Sequence, residues 1–252
     1  MQKISVTLAT FNEGKNIAKC LGSVRDLADE IVIVDGTSKD KTVEISKKFG
    51  ARVIVRENPK IFHINKQIAN DNAKMDWILQ MDADEEVSQD LANEIKEKIE
   101  DKDFNGYWIP RKNYFLGRFL MKGGQYPDYT LRLYRNGKGR LPQKDVHEQA
   151  VVEGKVGHLK NALLHFPYEN FSVYLSKWNR YNSIFAEQIK EERQNKNILL
   201  KLLLGINYLI LKPLYWFFLT YFRHKGSMDL WPGFVFSLFS SLRYPVSFIK
   251  SI

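Results

Sequence analysis

The chain has 252 residues, of which 44% are hydrophobic and 27% charged, and 38 Lys+Arg against 29 Asp+Glu give a net charge of +9. That balance fits one large globular domain, or a domain with an appendage, and it excludes intrinsic disorder and fibrous repeats. A single cysteine, Cys20, excludes an intramolecular disulfide framework and a Cys-rich zinc site.

Met1 to Ser5 runs straight into a strand pattern, Ile4–Ala9, without the apolar core of a secretory signal, so a cytoplasmic body is expected. Residues 15–25 follow with Ile17, Leu21 and Val24 at helical spacing. Ile31–Asp35 is a β-branched run ended by Gly36, a buried strand. A helix over 40–49 ends at Gly50, and 52–56 is a third strand. Residues 64–74 look helical, Trp77–Asp82 is a fourth strand, and Ser88 caps a helix that reaches Ile99. Strands alternating with helices predict an α/β fold with a doubly wound, mostly parallel sheet.

The pattern changes after residue 104. Tyr107–Pro110 and Thr130–Tyr134 are strand-like without a long helix between them, and glycine and proline become frequent. An α+β region whose loops shape a site is expected here. Residues 171–195 look helical and polar, with Tyr174, Trp178, Tyr181 and Phe185 close to one face.

Residues 198–252 carry Lys201, Lys212, Arg223, Lys225, Arg243 and Lys250 against one acid, Asp229, a net +5, and hold 13 of the 33 aromatic residues. No charge-free run reaches the ~18 residues of a spanning helix. Lys201, Gly205, Tyr208 and Lys212 share one narrow helical face, and the rest is aliphatic bulk. Such a helix can lie in the membrane interface with its lysines reaching headgroups, and Pro213 should break or kink it. Packing in a soluble core, contact with a twin subunit, and a re-entrant hairpin remain alternatives. The cations lie among aliphatic residues rather than along a polar groove, so no nucleic-acid partner is expected.

In an open parallel sheet, ligands bind beyond the carboxyl ends of the strands. Those ends carry Thr10-Phe11-Asn12-Glu13-Gly14, Asp35-Gly36-Thr37-Ser38-Lys39-Asp40 and Asp82-Ala83-Asp84-Glu85-Glu86, all polar. No G-x-G-x-x-G follows strand one and no P-loop exists, which argues against a dinucleotide oxidoreductase and an NTPase. Asp82 and Asp84, two residues apart at the end of a strand, would point to one side and share a hard cation, Mg²⁺ or Mn²⁺, with substrate phosphate oxygens completing its shell. They equally suit the positive end of the helix that follows.

These three blocks resemble glycosyltransferase family 2, whose fold is the GT-A nucleotide-diphospho-sugar transferase fold. Gly123–Asp128, Leu131–Arg135 and Val146-His147-Glu148 are similar to the lipopolysaccharide-core β-1,4-glucosyltransferase-like subgroup. The resemblance covers roughly residues 3–185. It implies a catalytic domain over 1–197, with a nucleotide-binding half at 1–103 and an acceptor half at 104–197, followed by a helical, membrane-associating tail at 198–252. It implies an inverting, metal-dependent transfer of a hexose from a nucleotide-diphospho-sugar, most simply a UDP-sugar, to a surface glycan or lipid-linked saccharide. The enzyme would then sit peripherally on the inner face of the cell membrane, and a homo-oligomer is compatible with the same tail.

Site roles follow from the resemblance. Thr10, Phe11, Asn12, Glu13, Asp35 and Ser38 would line the nucleotide pocket, with Lys66 facing the nucleotide. Asp82 would touch ribose or metal, Asp84 would bind the metal, and His165 would be a third ligand or a core histidine. Glu148 is the candidate base, Asp128 the runner-up, and His147 would orient the base or contact phosphate. Arg132, Arg135 and Arg111 would hold phosphates through bidentate contacts. Two other readings stand beside this one: a nucleotidyltransferase that makes an activated sugar, and a non-catalytic, membrane-bound nucleotide-sugar-binding protein.

Overall fold

The computed structural model describes residues 1–59, 61–142, 149–194 and 196–252. The chain forms two compact units, one of residues 1–111 and 128–165, the other of residues 112–127 and 166–252.

In the first unit, β1 (Ile4–Thr10), β2 (Glu30–Asp35), β3 (Arg52–Val55) and β4 (Trp77–Met81) alternate with α1 (Ile17–Ser23), α2 (Thr42–Lys48) and α3 (His63–Asp71). The strands lie parallel in the order β3-β2-β1-β4. Their β-branched runs are buried on both faces, as a helix-covered parallel sheet requires. Val6, Leu8, Ile33, Leu79 and Met81 pack with Ile17 and Leu21 of α1 in the main core.

Beyond β4 the sheet turns antiparallel through β8 (Asp128–Arg135) and β6 (Gly106–Phe115). The edge is completed by β12 (Leu163–His165), which pairs antiparallel with β5 (Glu85–Val87). The acids after β4 therefore do not open a helix. They turn and form β5, and α4 (Gln89–Lys98) starts only after Ser88, whose hydroxyl accepts the Leu91 amide at 3.3 Å.

The second unit is mainly helical. Its longest helix, α5 (Phe171–Gln194), buries Tyr174, Asn182, Ala186 and Ile189. Tyr181 was expected on the packed face but stands 49% exposed. A continuous helical rod runs from Ile198 to Arg223, 26 residues long and apolar enough to cross a membrane by length and composition. Within it, α6 (Ile198–Ile206) and α7 (Lys212–Phe217) are joined and followed by wide, π-type turns over Asn207–Leu211 and Phe218–Arg223. Pro213 does not break the rod. The wide turn directly before it absorbs the local irregularity.

The chain returns through α8 (Leu230–Lys250), which packs against both α5 and α7. The face shared by Gly205, Tyr208 and Lys212 is turned inward onto α8, not toward headgroups. Gly205 faces Phe248, and the Lys212 ammonium lies 3.6 Å from the Tyr208 ring centroid.

Candidate active site

The parallel strands place the site. β1, β2 and β3 succeed one another in one direction, and β4 then lies on the other side of β1, so the β1–β4 crevice is the topological switch point of the sheet. Thr10 ends β1 and Asp82 follows the last residue of β4.

Beside the crevice, Thr10 and Asp35 are register neighbours at the ends of β1 and β2. The fully buried Asp35 carboxylate accepts the Thr10 hydroxyl at 2.8 Å, the Ser38 amide at 2.8 Å and the Ser38 hydroxyl at 2.6 Å. These three donors fill three of its roughly four acceptor positions. The Ser38 hydroxyl in turn accepts the Asn12 amide at 2.7 Å, and the Asn12 side chain accepts the Lys39 amide at 2.9 Å. This pins Asn12 in a left-handed conformation, φ 56°, which asparagine tolerates better than most residues. The Glu13 carbonyl accepts the first amides of α1, and Phe11 stands 45% exposed at the rim.

At the end of β4 the two carboxylates part company. At Asp82 both carboxylate oxygens meet cations of the protein itself. One oxygen is bound by the Lys66 ammonium and the other by the Arg132 guanidinium at 2.7 Å. Burial alone would push its carboxyl up, but the Arg132 and Lys66 charges outweigh that and hold it well below the usual range. Burial likewise pulls Lys66 down, opposed by Asp82, and the Lys66 ammonium also sits over the Phe62 ring at 4.7 Å. Arg132 is raised despite its burial because Asp82 and Glu85 face it.

Asp84 takes a different partner. Its carboxylate lies 3.5 Å from His165 Nε2. The physical reason is the turn at Ala83–Asp84, closed by the Glu85 amide on the Asp82 carbonyl at 3.1 Å, which abolishes the alternation of a strand. β5 then pairs with β12 so that His165 stands opposite Glu85, one residue from Asp84. Among the described residues no three His, Cys, Asp or Glu side chains converge, so the expected triad reduces to Asp84 and His165. One carboxylate and one imidazole are a sufficient protein share for Mg²⁺ or Mn²⁺, which complete their shells with phosphate oxygens and water.

Glu85 was missed as a site residue. It is fully buried, accepts the Asp82 amide at 2.9 Å, and lies 3.4 Å from Arg111 and 3.7 Å from Arg132. Arg111 also grips Asp128 through two donors at 2.9 and 2.8 Å. Gln80 accepts from Arg132 on its other side. The side chains of Lys66, Gln80, Asp82, Arg111 and Arg132 line one cavity of about 220 Å³.

Arg135 is not a phosphate ligand. It sits at the opposite end of β8, paired with Trp77 in register, where it stacks on the Trp77 ring and donates to the Phe104 and Asp101 carbonyls. The base candidate Glu148 and its neighbour His147 lie outside the described residues.

Comparison with known proteins gives the family. The family model described as Glycosyl transferase family 2 matches residues 5–153. An uncharacterised glycosyltransferase of Rickettsia felis is 28% identical, covering 94% of this chain and 85% of its own length. The lipopolysaccharide core biosynthesis glycosyltransferase LpsC of Rhizobium meliloti is also 28% identical, covering 95% of this chain and 91% of its own length. Among solved structures, S. aureus TarS residues 1–349 in complex with UDP-GlcNAc aligns at 16% identity with a TM-score of 0.49, over 96% of this chain and 82% of that one. With its GT-A sheet and its switch-point site, the chain is an enzyme that belongs to glycosyl transferase family 2.

Proposed function

We propose that this glycosyltransferase moves a hexose from a UDP-sugar, with inversion at C1, to a lipid-linked or surface-glycan saccharide at the cytoplasmic face of a membrane. The observation that carries the reading is the pairing of Asp84 with His165 beside the β1–β4 crevice. The relative LpsC, named for lipopolysaccharide core biosynthesis, supports the acceptor class.

In this reading the nucleotide lies across the ends of β1 and β2. Asp35 accepts an N–H or O–H from the base or ribose at its remaining acceptor position. The uracil imide N–H meets that need, whereas cytosine lacks an imide N–H and would have to offer its exocyclic amine. Asp84 and His165 hold Mg²⁺ or Mn²⁺. Bound there, the ion supplies Lewis-acid neutralisation of the diphosphate leaving group. Lys66 and Arg132 fix the Asp82 carboxylate, which receives a ribose hydroxyl. Glu148 takes the acceptor hydroxyl proton as the oxygen attacks C1 from the face opposite the diphosphate, and His147 orients it.

The test is a donor panel. Purified enzyme is incubated with UDP-, GDP- and CMP-hexoses and Mn²⁺, and sugar-nucleotide hydrolysis is followed. The reading expects turnover of a UDP-sugar that Glu148→Gln reduces at least ~100-fold. Turnover of only CMP- or GDP-sugars would overturn the donor assignment.

A further inference from the structure

In water an amphipathic helix turns its polar face out and its apolar face toward the core. The Ile198–Arg223 rod does the reverse. Its inward face presents Gly205, Tyr208, Lys212 and Thr220, all buried or half-buried. Lys212 is enclosed between the Tyr208 and Tyr244 rings, and the Tyr208 hydroxyl donates to Glu192 at 3.1 Å. α8 meets it with Tyr244 and Phe248, which pack on Leu204 and Tyr208, and it buries the small polar residues Ser237, Ser241 and Ser247. The outward face is Leu203, Ile206, Ile210, Leu214, Phe218 and Phe222, each 41–67% exposed. The inside mixes small and polar groups with Leu204 and aromatic rings, while that outer face is wholly apolar. An apolar outer face around an interior that holds the lysine suits a helix whose solvent on that side is hydrocarbon.

We propose that the outward face of the Ile198–Arg223 rod is embedded lengthwise in the hydrocarbon of an anionic bilayer, as a one-sided, in-plane anchor that does not cross. This deepens the membrane-surface reading above and rests on it.

Charge selects lipid over a second copy of the chain. Lys201, Arg223 and Lys225 are exposed along the rod and at its end, whereas Arg243 and Lys250 of α8 are turned to Phe185, Asn179 and Ser183 of α5. The one acid of the segment, Asp229, is buried and occupied, accepting the Lys122 amide at 2.7 Å and lying 3.5 Å from Arg118. Two such surfaces brought together would repel, whereas anionic headgroups complement them.

Packing selects the in-plane mode. A spanning rod would need a lipid-compatible bundle around it, but this one packs inward on α8 and on α5, whose Phe185 and Glu192 meet Tyr208 and which presents Glu187, Lys190 and Glu191 to water. At 1.5 Å per residue the rod is about 39 Å long, beyond the ~30 Å hydrocarbon core. Exposed cations stand toward both of its ends, Lys201 at one and Arg223 and Lys225 at the other, placed to reach headgroups of the same leaflet.

The test uses the full chain. Flotation with phosphatidylethanolamine/phosphatidylglycerol vesicles should capture it, and neutral phosphatidylcholine vesicles should capture less. The double variant Ile206→Asp/Leu214→Asp, at two exposed positions, should keep its circular dichroism and melting temperature. It should lose vesicle binding roughly 100-fold, while Lys190→Asp on the water face of α5 keeps it. Equal binding by the double variant and the parent would overturn the embedded face and leave the membrane reading standing. No binding by the parent, with a dimer that the double variant abolishes, would overturn both.

Cysteines at Asn197→Cys and Lys225→Cys then report topology, since native Cys20 is buried. With an impermeant maleimide, an in-plane rod labels at both sites in the same vesicle orientation. Labelling of the two sites in opposite orientations would mean a spanning helix and overturn the proposal.

Discussion

Arg132 of β8 and Asp82 at the end of β4 face each other at 2.7 Å across an antiparallel strand pair. That contact ties the strand bearing the acidic motif to the strand bearing Arg132, and Lys66 of α3 closes the arrangement from the other side. Asp82 is thereby a fixed carboxylate with both oxygens in use, and in the proposed reading the metal falls to Asp84.

Removing Arg132 leaves Asp82 and Glu85 with unbalanced charge in a largely buried place. Arg132→Met should lower unfolding free energy by about 3 kcal/mol, measured by urea denaturation at neutral pH. A loss within error of zero would mean that the pairing is incidental.

The same pairing sets an acid dependence. Asp82 in the unfolded chain titrates near its ordinary 3.8, while the folded protein holds it well below that value. Below about pH 5 the unfolded state increasingly binds a proton that the folded state refuses, so stability falls as pH falls. Asp82→Asn removes this component. Unfolding free energy should decline less steeply between ~pH 6 and ~pH 3 in the variant than in the parent, and equal slopes would contradict the assignment.

Asp84 and His165 should separate from Asp82 in their metal response. His165→Ala should raise the Mn²⁺ concentration for half-maximal donor hydrolysis by about 10–100-fold. Excess Mn²⁺ should restore its rate. Unchanged Mn²⁺ dependence would place His165 among structural histidines.

The turn into α8 tolerates no side chain at Gly233. A Cβ there would stand 2.0 Å from the Gly226 carbonyl oxygen and 2.8 Å from the Asp229 Cβ, and the backbone oxygen cannot yield cheaply. Gly233→Ala should cost about 3 kcal/mol, at the upper end of overpacking, read as a lower melting temperature. Gly205→Ala, whose Cβ meets only the Phe248 ring edge at 3.5 Å, should be neutral or slightly stabilising.

The parallel half of the sheet was legible because β-branched runs punctuated by helical spacing leave few alternatives, and strand ends are where ligand chemistry gathers. Family membership sets aside the nucleotidyltransferase and non-catalytic readings. The partners of Asp82 and Asp84 were not legible. The D-x-D spacing implies a shared side only in an extended chain, and the Ala83–Asp84 turn breaks that. Buried Glu85 gave no signal either, since its burial depends on Arg111 and Arg132, distant in sequence. In the tail, periodicity grouped Lys201, Gly205, Tyr208 and Lys212 on one face, and the last three do turn inward while Lys201 is exposed. Which way that face points depends on the surrounding medium, which no pattern of spacing encodes.

The central claim is a divalent ion held by Asp84 beneath the donor diphosphate. Calorimetric titration of UDP-glucose with and without Mn²⁺, on the parent and on Asp84→Asn, tests it most directly. The account predicts that Mn²⁺ tightens donor binding at least ~10-fold in the parent and leaves Asp84→Asn at its metal-free affinity. The same Mn²⁺ enhancement in both proteins would contradict it.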